Sequence, residues 1–152
     1  MKRFIYSIFA VLALSCTFVA CGSDNDDESI SYSTSAEQGS AGTYSGTWVR
    51  TSDNGVESFD GTVTLAAGST TGVTNVTFSS PAADLNATSV ANVWHSNYGY
   101  QFHNQTASSA NGLGASFAGR IDENGNLNTS FTISQKVGRK NYEFKYEFIG
   151  KK

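Results

Sequence analysis

The 152-residue chain holds only two cysteines, two histidines, one proline and one methionine. Each scarcity closes off a class of protein. Both cysteines, Cys16 and Cys21, lie close to the start. Everything beyond them is free of thiols, which excludes a disulfide scaffold, a cysteine-ligated zinc and a catalytic thiol there. His95 and His103 are too far apart to share a metal on one continuous strand, since eight residues span roughly 26 Å. With a turn over Ser96 to Gly99, His95 opposes Tyr100 and His103 falls further along the ladder, again apart. No metal and no cofactor are expected, because a metal site needs further converging ligands. Serines are plentiful, but none has a nucleophile's context. The stretch "SSANGLGAS" at 108–116 lacks the lysine and the strand–turn–helix frame of a phosphate loop, and reads as a plain loop. Asp53, Glu57, Asp60 and Asp84 scatter near turns with no paired spacing. Without converging titratable groups, an enzyme is not expected.

Long apolar runs are also missing, with one exception at the start. Residues 4–20, "FIYSIFAVLALSCTFVA", carry no charge and follow Lys2 and Arg3. A basic start, an apolar stretch and small residues before a cut form the secretory signal pattern. The stretch is shorter than the roughly 20 residues of a membrane span. It ends on "VAC", with Ala20 directly before Cys21. This resembles a bacterial lipobox, which implies cleavage before Cys21 and acylation of its thiol. Cys16, preceded by "ALS", is the rival site, but cutting there would leave "TFVAC" on the mature chain. Behind Cys21, "GSDNDDE" sets Asp24, Asp26, Asp27 and Glu28 together without a base. Such low hydrophobicity and high charge cannot support a core, so 21–41 reads as an acidic, serine-rich tether. The cluster also resembles the signal that sends Bacteroidota-type lipoproteins to the outer face of the outer membrane. The expected organisation is a signal peptide over 1–20, a tether over 21–41 and one domain over 42–152.

Within that domain no long helical period appears, and apolar residues recur at every second position, the period of a strand. In "NYEFKYEFIG" Tyr142, Phe144, Tyr146 and Phe148 face one way, and Glu143, Lys145 and Glu147 the other. "NLNTSFTISQKV" repeats the pattern with Leu127, Phe131, Ile133 and Val137, and "ASFAGRI" with Phe117 and Ile121. Asn124-Gly125 between the last two suits a tight hairpin, and Gly138 turns the chain into the final strand. Earlier segments place Tyr44 with Trp48, Phe59 with Val63 and Leu65, and Val76 with Phe78. "SVANVWHS" and "YGYQFHN" complete the set around a turn near Asn97. About eight short strands with turns between them predict an all-β, antiparallel up-and-down barrel, which removes exposed edges by closing on itself.

The triplet "GTW", Gly46 to Trp48, lies in the first strand. It resembles the Gly-x-Trp signature of the calycin superfamily: lipocalins, fatty-acid-binding proteins and avidins. The ending "SFTISQKVGRKNYEFKYEFIGKK" is similar to the last hairpin of small calycin-like lipoproteins of Bacteroidota. The resemblance implies a barrel floor closed by Trp48 beneath a basic residue from a late strand, for which Arg120 and Arg139 are the candidates. A small hydrophobic or glycan-type ligand is the expected partner of such a barrel. A second lipocalin motif, the usual disulfide and the C-terminal helix are missing, which argues against carriage of a large lipophile.

Charge is spread unevenly. Residues 24–84 hold nine acids and one base, Arg50, whereas 136–152 hold six bases and two acids. Because Glu143 and Glu147 interleave with the C-terminal bases, that segment reads as a mixed-charge strand face. Loss of Lys2 and Arg3 with the signal takes the net charge from −3 to about −5, so nucleic acid is not an expected partner. The strongest candidate for ligand contact is "WHSNYGYQF", where Trp94, Tyr98, Tyr100 and Phe102 crowd nine residues. Aromatic rings with polar tips suit pockets and sugar faces alike. Two functions remain open at this level: a surface-anchored barrel with a small ligand in its interior, or an adhesion and interaction module with a filled core. Eight strands enclose a lumen that side chains or one small ligand can fill.

Overall fold

The structure, a computed structural model, describes residues 33–105 and 112–152. The signal segment, both cysteines, the tether as far as residue 32 and the centre of the glycine-rich loop lie outside the described residues. The described residues form a short helix, α1 (Ala36–Ser40), and eight strands: β1 (Gly42–Ser52), β2 (Gly55–Ala67), β3 (Val73–Ser80), β4 (Leu85–Ser96), β5 (Gly99–Asn104), β6 (Phe117–Asp122), β7 (Asn126–Val137) and β8 (Lys140–Lys151). A single 3₁₀ turn, Pro81–Ala83, links β3 to β4. Every strand pairs antiparallel with its sequence neighbours, and β8 returns to β1, so the sheet is a closed eight-stranded up-and-down barrel.

The turns follow the sequence signals. Asn97 and Tyr98 form the two-residue link between β4 and β5. Gly125, with φ of 76°, closes the β6–β7 loop, and its N–H donates to the Asp122 carbonyl. Asp122 braces the same loop: Oδ1 accepts the Asn124 and Asn126 backbone N–H groups, and Oδ2 accepts the Asn126 side-chain amide. These bonds, the Asn126 side chain foremost, hold the Asp122 carboxyl below the usual carboxylate range.

Side chains alternate as the period-2 pattern requires. Tyr44, Trp48, Val63, Leu65, Val76, Phe78, Phe102, Leu127 and Phe148 are fully buried inside. The outer face is built largely of Thr, Ser and Asn, with cross-strand hydroxyl pairs Thr43–Thr64 at 3.0 Å and Thr77–Thr88 at 2.9 Å. A membrane-spanning barrel has the opposite arrangement, an apolar outer band around a polar interior. In this barrel the rings are inside and the hydroxyl and amide side chains outside.

The last residues of the segment expected to be tether, 21–41, take up structure instead. Residues 36–40 are helical, and Ala36, Glu37 and Ser40 are buried against the barrel. Five residues cannot hold a helix on their own, and Ser35 at its start makes no side-chain cap. Docking holds it instead. Glu37 Oε2 accepts the Gly72 N–H at 2.8 Å from the β2–β3 turn, and Tyr44 Oη donates to the Ser40 carbonyl at 2.8 Å. His95 Nε2 reaches the Thr34 carbonyl at 3.0 Å just before the helix. The helix thus lies over the end of the barrel where β1 begins.

Candidate functional site

Trp48 occupies the centre of the lumen and none of it is exposed. Its ring meets Phe148 at 4.9 Å, Phe131 at 5.5 Å, Phe78 at 6.0 Å and Tyr146 at 6.3 Å between centroids, mostly edge to face. Phe117 extends the cluster by packing on Phe78 at 5.0 Å. Strands from around the circumference therefore send rings into one shared centre. The small residues do not leave this interior open. A Cβ on Gly61 would stand 2.6 Å from the Trp48 ring, and one on Gly119 would stand 2.2 Å from the Phe102 ring. The aromatic rings lie across the glycines and use the room they leave. At the level of Trp48 the barrel is filled. The indole N–H of Trp48 has no hydrogen-bond partner in this apolar setting.

Neither basic residue proposed to cap Trp48 does so. Arg120 points outward from β6, and Arg139 sits exposed in the β7–β8 turn. An inward cation does stand nearby, Arg50, two residues along the same strand, but the rings beneath it are Phe59 and Phe144 rather than Trp48. The alternation that turns Trp48 inward turns Arg50 inward as well, one step nearer the mouth. Its guanidinium lies over Phe59 at 5.0 Å and within 5.9 Å of Phe144, and it forms an ion pair with Glu57 at 2.6 Å. The Glu57 carboxylate, followed by the Tyr146 hydroxyl, holds Arg50 firmly protonated. This arrangement supports the far ends of the β1–β2 and β7–β8 hairpins. They run past the barrel rim: β2 meets β3 only from Thr62 onward, and β7 meets β6 only as far as Phe131.

The aromatic cluster singled out from the sequence does not converge on one spot. Phe102 is buried inside. Tyr100 is half-buried, its ring 5.0 Å from His95 and its hydroxyl end against Gly39 of α1. Tyr98 stands in the β4–β5 turn with 77% of its surface exposed. Trp94 points outward, 40% exposed, with its ring edge-on to His103 at 5.3 Å. Tyr100 and Phe102 therefore face the interior, while Trp94 faces solvent. The two histidines separate in the same way: His95 opposes Tyr100, as expected from the turn, and His103 pairs with Asn92 on the ladder, its ring turned outward to Trp94.

An open concavity lies on the outside of the barrel. A groove of about 550 Å³ crosses β1, β8, β7, β6 and β5, with Val49, Glu147, Ile149, Asn128, Ser130, Ala118, Arg120 and Gln101 along it. The short side chains of Ala118 and Ser130, paired across β6 and β7, leave its floor low. Ile149 is 66% exposed at one side. Trp94, opposite Gln101 on β4, continues the same outer surface. Sequence reading missed this surface because its residues come from five strands and meet only through the register. One signal was present: Trp94 falls out of phase with inward Ala91 and Val93, on the polar side of its strand.

The chain matches no protein-family profile, no curated protein and no solved structure.

Proposed function

We propose that this protein is a non-catalytic binding module, held in the outer membrane by lipid on Cys21 and exposed at the cell surface, which engages a glycan-type ligand on the outside of its barrel. The filled lumen carries this reading. Trp48 and the rings around it leave no room for a ligand at the centre, and α1 covers one end. The outer groove across β5–β8 and β1 is concave and open. Its mixture of short floor residues, amide side chains and a neighbouring exposed indole suits a polar ligand with apolar ring faces.

The lipid anchor rests on "VAC" and the acids after it. Acyl chains contribute about 0.8 kcal/mol per buried methylene, so more than one gives stable attachment.

A glycan array, run beside an apolar fluorescent probe, tests the choice between outside and inside. The native protein should retain glycans and leave the apolar probe unbound. Ala118→Tyr, which fills the groove floor from an exposed position, should lose glycan retention with its melting midpoint unchanged. Strong binding of the apolar probe, displaced by a fatty acid and indifferent to Ala118→Tyr, would return the ligand to the lumen and defeat the proposal.

A further inference from the structure

Five outward side chains from five strands stand in one transverse row. The register sets Trp94 opposite Gln101, Gln101 opposite Arg120, Arg120 opposite Asn128 and Asn128 opposite Ile149. Four steps between neighbouring strands give the row a length of roughly 19 Å. Its ends are apolar and its middle is amide, guanidinium, amide. Trp94 is braced edge-on by His103, whose Nδ1 is in turn tied to the Asn104 carbonyl at 2.9 Å, so the indole is a held platform.

Arg120 at the centre is exposed and forms no ion pair among the described residues. Asp122, two residues along the same strand and face, and Glu147, in the groove, are both engaged elsewhere. Asp122 is occupied by Asn124 and Asn126, and Glu147 pairs with Lys145 at 3.0 Å. The guanidinium is therefore the groove's open charge, and its planar fork matches a carboxylate through two parallel hydrogen bonds. Gln101 and Asn128 on either side each offer both a donor and an acceptor, as neighbouring sugar hydroxyls require. An exposed indole suits the apolar face of a sugar ring.

We infer that this row binds a sugar acid within a glycan, a uronic or sialic acid residue. Its carboxylate lies on Arg120, its hydroxyls on Gln101 and Asn128, and an adjoining ring on Trp94. The assignment rests on the outer-face reading above and adds the ligand's charge to it. Because the carboxylate contact is solvent-exposed, salt weakens it.

The test is calorimetric titration of the full chain with oligomers of galacturonate, glucuronate and N-acetylneuraminate, and with the carboxyl-reduced form of whichever binds tightest. Polyglutamate serves as an acidic peptide. At least one acidic oligomer should bind at least ten-fold more tightly than its reduced form. Arg120→Gln should erase that preference and leave the reduced form's affinity as it was, whereas Trp94→Ala should weaken both forms. Both positions are exposed, and unchanged melting midpoints will separate loss of contact from loss of fold. If a neutral glycan binds, is lost in Trp94→Ala and is indifferent to Arg120→Gln, the outer face stands and the carboxylate assignment falls. If none of the three acids binds, if neither variant alters their binding, or if polyglutamate outcompetes them all, the sugar-acid site is overturned.

Discussion

Two tryptophans, Trp48 and Trp94, divide the molecule's tasks between inside and outside. Trp48 is fully buried and touches four other rings, so its removal deletes the centre of the core. Trp48→Ala should cost about 3–5 kcal/mol, a large share of what a small domain has in total. Trp94 covers little of the core, and Trp94→Ala should stay within about 0.5 kcal/mol of the native protein. Denaturant titration of the two variants side by side measures the contrast. Equal losses would mean that Trp94 is a packing residue after all. Gly119 tests the filled lumen from the other direction. A methyl there meets the buried Phe102 ring at 2.2 Å, and overpacking of this kind costs about 1–3 kcal/mol. Gly119→Ala should lower the unfolding midpoint accordingly; a neutral result would reveal spare room inside the barrel.

At the scale of elements, the strands were legible from sequence and the helix was not. Tyr142, Phe144, Tyr146 and Phe148 announced β8 because one face of that strand is buried and the other wet, and burial is what period 2 records. Asn124-Gly125 and Gly138 announced their turns because each needs a positive φ. The helix left no such trace. "AEQGS" is too short to show a period, and its stability comes from Gly72, Tyr44 and the barrel end, which lie far away in the chain. A fragment starting at residue 42 should therefore melt at a lower temperature than one starting at residue 33, although both remain all-β by circular dichroism. Equal melting would mean that the helix rests on the barrel without supporting it.

The same docking makes the helix sensitive to pH at both extremes. The Gly72 N–H, first among several hydrogen bonds, holds the Glu37 carboxyl below its ordinary range. A folded-state value below the unfolded one stabilises above the unfolded value, and that stabilisation is lost as pH falls through the folded one. Burial, followed by nearby Tyr100, raises Tyr44 to about 12. A raised value acts in the opposite sense: its contribution is complete below the unfolded tyrosine range and is lost as pH climbs toward 12. Melting midpoints of the native protein and Glu37→Gln should converge as pH drops below the carboxylate range. Tyr44→Phe should flatten the alkaline limb. A constant gap between native and Glu37→Gln at every pH would remove Glu37 from this role.

At the scale of the whole molecule, the barrel could be read from one sequence and the proposed binding face could not. Alternation tells which residues of a strand share a side, but only register tells which strands lie abreast. Trp94, Gln101, Arg120, Asn128 and Ile149 are scattered over more than fifty positions of the chain and become one row through four separate pairings. The sequence cluster around Trp94 does not form one surface, since two of its four aromatics turn inward and only Trp94 joins the row. The proposed anchor is an independent matter, resting on "VAC" and the acids behind it. Cys21→Ser should abolish acyl labelling and membrane fractionation, and labelling that disappears only in Cys16→Ser would move the lipid to the rival cysteine.

Whether the ligand lies outside or inside is the central claim, and the chain's two tryptophans allow one spectrum to decide it. Nitrogen-15 labelling gives one indole N–H signal for Trp48 in the lumen and one for Trp94 on the outer face, assigned by the loss of a peak in Trp94→Ala. During titration with a glycan retained on the array, the Trp94 signal should move and the Trp48 signal should stay in place. Movement of the Trp48 signal with Trp94 unaffected would place the ligand in the lumen and contradict the account.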